Sequence, residues 1–192
     1  MTRRLAFALL AATMLLSACA PPDDGNNPFA HGKEPLCSEP NESTVLIAQS
    51  VQTATRLPCI AGYPAGWSFL DKDVRRDSST YWLTSAVVGT GSRAIEVQLV
   101  PSCEPQGEPF TDIRAAGAEA YVATSNTEET RSYVFEGGCV VERIFLPPDA
   151  DPELLAQARS TLGFASREAI ARELDEQYGV THCGAGADPC EG

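Results

Sequence analysis

Hydrophobic positions along the chain change their period repeatedly, and each change marks an element. Ile47, Val51 and Ala54 recur at helical spacing within residues 43–57, where Ser43 or Thr44 can cap the start. The Thr and Val content of that stretch leaves a strand as the alternative, and Pro58 ends it either way. Residues 59–67 contain Gly62, Pro64 and Gly66 and read as a connecting loop that delivers Trp67 and Phe69. Residues 81–88 and 93–100 flank Gly89-Thr90-Gly91-Ser92, a hairpin signal. In the second of these strands Ile95, Val97 and Leu99 share one face, Ala94, Glu96 and Gln98 the other, so one side meets a core and the other water.

Residues 104–109 read as a turn-rich loop, 112–120 as a short helix weakened by Gly117, and 121–124 as a strand. A clearer hairpin follows. Residues 131–136 lead into Gly137-Gly138, whose freedom to adopt positive φ suits a tight turn, and 139–146 return. Val140, Glu142, Ile144 and Leu146 oppose Cys139, Val141, Arg143 and Phe145; with large apolar residues on both faces, this strand is expected to be central and buried. Pro147-Pro148 breaks it. Asp151-Pro152-Glu153 is a helix start, with Leu154, Leu155, Ala158 and Leu162 as the buried stripe and Gly163 as the stop. A second helix runs from Ser166 through Ile170, Leu174 and Tyr178 to Gly179. The order predicts an α+β fold: an antiparallel sheet of about four to five strands with helices packed on one face.

The amino terminus has a different pattern. Arg3 and Arg4 precede an uncharged apolar run of twelve residues, Leu5 to Leu16. As a helix the run rises about 18 Å against roughly 30 Å of hydrocarbon, too little to span a membrane. It closes in Leu16-Ser17-Ala18-Cys19, which resembles the lipobox of bacterial lipoprotein signals: Leu, two small residues, then Cys. The resemblance covers residues 1–19 and implies cleavage before Cys19, a diacylglyceryl group on its thiol and often an acylated amine. The alternative is an ordinary secretory signal cut at Ser17-Ala18-Cys19-Ala20, with Cys19 incidental. Arg3-Arg4 lacks the Phe-Leu pattern of a twin-arginine signal. The expected organisation is a signal over 1–18, a tether over 19–42, a single domain over 43–180 and a tail over 181–192. The tether is rich in Pro, Asp, Asn and Gly, with Phe29 and Leu36 as its only large apolar residues.

Removing the signal sharpens the charge. All 26 acidic residues lie beyond it and two of the 14 basic ones leave with it, so 12 basic side chains face 26 acidic ones, a net of −14. That charge opposes phosphate backbones and argues against nucleic acid as a partner. It also leaves six cysteines besides Cys19, an even set that favours disulfides in an exported chain. Among the formally possible pairings the pattern favours Cys37–Cys59, Cys103–Cys139 and Cys183–Cys190, each closing a local unit.

Residues 57–67 (Leu-Pro-Cys, then Pro-x-Gly-Trp), 95–103 (Ile-Glu-Val-Gln-Leu-Val-Pro-Ser-Cys) and 133–140 (Tyr-Val-Phe-Glu-Gly-Gly-Cys-Val) resemble a recurring, uncharacterised extracytoplasmic domain of actinobacterial-type proteins. The likeness spans about residues 45–178 and implies no activity. A looser likeness, of plan only, is to the PsbP-like lipoproteins.

Candidate chemistry is sparse. The two histidines are His31 in the tether and His182 in the tail, and neither has the rigid setting that a nucleophile–base pair requires. His182, Cys183, Cys190 and Asp188 offer donors for a metal, but an exported Cys pair at this spacing reads as a disulfide, and no metal or other cofactor is expected. Glu96, Glu136 and Glu142 sit on expected strands where two can face each other for acid–base work, against the reading of a solvated sheet face. Trp67, Phe69, Tyr81 and Trp82 are close enough in sequence for a stacking platform, against the reading of core aromatics. No phosphate-binding glycine loop or nucleophile elbow is present. The expectation is a lipid-anchored, extracytoplasmic, non-catalytic binding module of the cell envelope, held to the membrane through Cys19 and engaging an envelope protein. The alternatives are a carrier of a lipid or other apolar ligand, and an envelope enzyme using acidic residues.

Overall fold

A computed structural model of the protein describes residues 33–89 and 91–179. Cys19, His31, His182, Cys183, Asp188 and Cys190 lie outside the described residues, as does the segment expected to carry the lipobox. The described residues form an α+β fold with a seven-stranded antiparallel sheet, a two-stranded antiparallel sheet and three α-helices.

The chain opens on α1 (Glu42–Ser50). Its cap is Asn41, not Ser43 or Thr44: the Asn41 side chain accepts from the Ser43 amide at 3.0 Å, and the Thr44 hydroxyl accepts from the Asn41 amide at 3.3 Å. Residues just before the helix, within the stretch read as tether, already belong to the folded body. Leu36 bridges to Ile60, and Cys37 is disulfide-bonded to Cys59 with Cα atoms 5.0 Å apart.

Helix α1 stops at Ser50, well short of Pro58, and residues 56–60 form a strand, β1 (Arg56–Ile60). The Ser50 hydroxyl donates to the Ile47 carbonyl, and Thr53 and Thr55 donate to the carbonyls of Gly137 and Glu136. These side chains favour a turn over another helical cycle. Pro58 sits inside β1, tolerable because this sheet has two strands and few ladder bonds to lose. The partner of β1 is β9 (Leu162–Ser166), with Leu57 opposite Ala165 and Ile60 opposite Leu162.

The large sheet has the order β2-β3-β4-β8-β7-β6-β5. Its strands are β2 (Trp67–Arg75), β3 (Ser78–Ser85), β4 (Ile95–Val100), β5 (Glu108–Phe110), β6 (Glu119–Thr124), β7 (Glu128–Phe135) and β8 (Gly138–Phe145). Among the described residues this sheet has seven strands, more than the four to five expected, and the β1–β9 pair adds two. β2 escapes pattern reading because Asp71, Lys72, Asp73 and Arg75 crowd it and a register shift between Phe69 and Asp71 interrupts its alternation. Both features suit an edge strand. At the other edge, β5 is only three residues long. Residues 112–120 hold a 3₁₀ turn, Ile113–Ala115, in place of the expected short helix.

Strand β8 occupies the middle of the sheet and is buried on both faces, as its two apolar faces predict. Ile95, Val97 and Leu99 of β4 lie opposite Ile144, Glu142 and Val140 of β8 on the core side. Val45, Ile47 and Ala48 of α1, Leu154 and Ala158 of α2 (Pro152–Thr161), and Ile170 and Leu174 of α3 (Arg167–Tyr178) join the same hydrophobic cluster. Asp151 caps α2 with Pro152 in its first turn, Ser166 caps α3, and Gly179 ends α3 in the left-handed conformation at φ 63°. Between α2 and α3 the chain runs directly through β9, where a simple helix–helix connection was expected. The second disulfide, Cys103–Cys139, has Cα atoms 5.8 Å apart and ties the segment after β4 to the start of β8.

Candidate functional site

Strand alternation puts charged side chains on the core side of the sheet. In β8, Glu142 shares the inward phase of Val140 and Ile144; in β7, Glu129 and Arg131 share the inward phase of Tyr133 and Phe135. Arg131 lies directly opposite Glu142 in the ladder. Glu142 is completely buried, Glu129 is 5 % exposed and Arg131 8 %.

These groups connect into a chain of charges that begins near the surface and ends at the sheet's centre. Arg159 of α2, partly exposed, grips Glu129 through two hydrogen bonds, one of them 2.8 Å from Nε to Oε1. Glu129 Oε1 lies 3.8 Å from Arg131 Nε, and Arg131 Nη1 lies 3.6 Å from Glu142 Oε2. A branch runs from Arg131 Nη2 to Asp112 Oδ2 at 3.6 Å. Asp112, the cap of the 3₁₀ turn, accepts from Arg114 Nε at 2.9 Å and Nη2 at 2.5 Å, and from the Tyr133 hydroxyl at 3.1 Å. Arg114 also donates to the carbonyls of Arg159 and Leu162, tying the turn to the end of α2 and the start of β9. The Arg131 guanidinium stacks 4.4 Å from the Phe110 ring.

The electrostatics follow from how well each carboxylate is served. Burial alone would raise the Asp112 carboxyl, but its hydrogen bonds from Arg114 and Tyr133 outweigh that and hold it at about 2. Burial pushes the Glu142 carboxyl up to about 7, opposed by Arg131 and Arg114 and assisted by Glu129 and Asp112. Neither Glu142 oxygen has a hydrogen-bond partner among the described residues, and the same is true of Arg131 Nη1 and of the Tyr81 hydroxyl on β3. Tyr81 and Tyr133 are both pushed up by burial, with the Glu142 charge adding to the effect, so they stay neutral.

The other residues singled out by sequence do not converge. Glu96 lies on the opposite face of the sheet, accepting from Trp82 Nε1 at 2.8 Å and pairing with Arg143. Glu136 sits exposed in the turn between β7 and β8. The aromatic residues are divided as well. Trp67 and Tyr81 are core, Phe69 packs beside them half-buried, and Trp82 faces the other way beneath the Arg93 guanidinium at 4.0 Å. They form no common platform.

Clefts among the described residues open to the surface. One of about 710 Å³ lies between the end of α1 and the β2–β3 turn, bordered by Gln49, Gln52, Arg75, Arg76 and Pro101. Another, about 470 Å³, lies along β5 and the 3₁₀ turn, bordered by Phe110, Ile113, Ala116 and Tyr121. Among the described residues, no group of three His, Cys, Asp or Glu is placed to hold a metal ion, and no helix is long and apolar enough to cross a membrane.

A phase argument finds half of the charged chain: Glu129, Arg131 and Glu142 each repeat the two-residue phase of inward aromatic or aliphatic neighbours. Asp112, Arg114 and Arg159 leave no such trace, because a turn and a helix distant in sequence bring them in. No protein-family model, curated protein or solved structure matches this chain.

Proposed function

We propose that this protein is a lipid-anchored, extracytoplasmic binding module of the cell envelope, non-catalytic in itself and held to the membrane through Cys19. The observation that best supports a non-catalytic reading is the placement of its perturbed carboxylate: Glu142 is completely buried at the centre of the sheet, where no substrate can touch it. Asp112 and Glu129 are occupied by Arg114 and Arg159. One cleft presents amide and arginine side chains and the other the aromatic and aliphatic side chains of Phe110, Ile113 and Tyr121, linings suited to contact with another protein.

The anchored reading draws on the lipobox-like Leu16-Ser17-Ala18-Cys19 and on two disulfides, which favour an oxidising compartment. One acyl chain binds a membrane marginally, at about 0.8 kcal/mol per buried methylene, whereas two or three on one cysteine hold durably. Labelling cells with palmitate and fractionating them tests this reading. The wild type should incorporate label and sediment with membranes, and Cys19→Ala should lose the label and move to the soluble fraction. A Cys19→Ala protein that stays in the membrane pellet refutes the anchor. Crosslinking in intact cells, followed by purification from membranes, should return an envelope protein for the wild type.

A further inference from the structure

Arg131 is placed between three carboxylates and committed to none. Its nitrogens lie 3.6 Å from Asp112, 3.8 Å from Glu129 and 3.6 Å from Glu142, each beyond good hydrogen-bonding distance. Two of the three carboxylates are already secured by other arginines: Asp112 by Arg114 and Glu129 by Arg159. Among the described residues Glu142 pairs with no cation other than Arg131 and has no hydrogen bond to either oxygen; Arg114 acts on it only from farther away.

We infer that Glu142 and Arg131 form a proton-operated clamp between the centre of the large sheet and the layer that carries the 3₁₀ turn and α2. With Glu142 protonated, Arg131 serves Asp112 and Glu129. It then holds the turn through Asp112 and, through the Glu129–Arg159 pair, α2 against β7. With Glu142 ionised, the full charge on β8 competes for the same guanidinium, and the hold on the outer layer loosens. No bond other than the carboxyl O–H forms or breaks, and the proton is exchanged with solvent when the layer opens.

The neighbours of Glu142 leave it as the group that changes state. From β7 come Glu129, Arg131 and Tyr133; from the 3₁₀ turn, Asp112 and Arg114; from α2, Arg159; from β3, Tyr81, with Tyr63 and Glu34 beyond it; β4 presents Val97. Asp112 is held ionised to about pH 2, and the buried tyrosines stay neutral, whereas burial brings the Glu142 transition to about 7. The clamp therefore switches across neutrality, where the surroundings of an exported protein can vary.

Hydrogen exchange of the full chain at pH 5 and pH 8, corrected for intrinsic exchange, tests the clamp. Protection in residues 112–118 and 152–161 should fall about tenfold at pH 8, the change expected for loss of roughly one pKa unit's worth of interaction, while the β3–β4 hairpin stays constant. Glu142→Gln should keep those segments protected at both pH values. A wild type without the segment-specific change, or a Gln variant that retains it, overturns the clamp. Infrared spectroscopy of wild-type protein carrying ¹³C-glutamate covers the case in which the variant fails to fold. A buried carboxylic C=O band present at pH 5 and lost by pH 8 supports the clamp, and its absence throughout overturns it.

Discussion

Arg167 carries a guanidinium into the core and meets carbonyls there. Its Nε donates to Ala54 at 2.7 Å, and its Nη2 donates to Ala48 at 2.6 Å and to Val51 at 2.7 Å. It thus serves one carbonyl in the last turn of α1 and two just beyond the helix, sharing the Val51 carbonyl with the Ala54 amide, and it joins α3 to α1. Burial without a carboxylate in contact lowers its pKa to about 10, so it remains charged at neutral pH. Arg167→Met should cost about 2–4 kcal/mol in urea unfolding, because three hydrogen bonds to buried carbonyls are lost, the Val51 carbonyl keeping only the Ala54 amide. The acidic residues set the pH dependence. Glu142 has its pKa raised in the folded state, from 4.5 to about 7, so its contribution is greatest below pH 4.5 and is lost as pH rises through 7. Asp112 acts in the opposite sense: lowered from 3.8 to about 2, it stabilises above pH 3.8 and loses that contribution as pH falls through 2. Together they place maximum stability on the acid side of neutrality. Urea midpoints at pH 3, 5 and 8 should peak at 5, and Glu142→Gln should flatten the fall between 5 and 8.

At the scale of elements, the β7–β8 hairpin depends on one glycine more than on the pair. Gly137 takes φ 73°, and a Cβ there would stand 1.9 Å from the Thr53 carbonyl oxygen, whereas Gly138 continues the strand. Thr53 and Thr55 both donate to this turn, so the hairpin tip is docked on the segment between α1 and β1. Gly179 offers the control. It too has positive φ, at 63°, but nothing lies within 4 Å of its missing Cβ. Gly179→Ala should therefore cost about 1 kcal/mol, the left-handed strain alone, and Gly137→Ala clearly more, since backbone must also move. Thermal melting of the two variants side by side measures the difference. The elements legible in sequence were those with a strong period and a chemical stop: the strand Ile95–Val100, the β7–β8 hairpin, and helices α2 and α3 with their Asp151, Ser166 and Gly179 boundaries. β1, β2, β5 and β9 were not. Pro58, Gly163 and the stretch 104–109 read as breakers or a loop, and the charges of Asp71 to Arg75 show no strand period, until neighbouring strands supply the pairing.

At the scale of the molecule, the two disulfides among the described residues join segments 22 and 36 residues apart, and each should contribute about 3–4 kcal/mol by restricting the unfolded chain. Replacing Cys103 and Cys139 together by Ala should lower the urea midpoint accordingly; an unchanged midpoint would mean that the unfolded chain is already restrained there. Peptide mapping without reduction should recover Cys37–Cys59 and Cys103–Cys139, and it also tests the expected Cys183–Cys190 pair. Glu142, read as part of a solvated sheet face, is buried, and the expected helix stops at Pro58 and Gly163 fall inside β1 and β9. The sequence by itself determined the α+β class, the burial of the strand that carries Val140 and Ile144, the Gly179 stop of α3 and the favoured cysteine pairs within the described residues. Each depends on local stereochemistry or on short loops that close readily. Tertiary structure alone decided the edge strands, the β1–β9 sheet and the meeting of Asp112, Glu129, Arg131 and Glu142. Those positions are brought together by strand order and by a turn and a helix crossing over the sheet, and no local pattern encodes which buried charges will face one another.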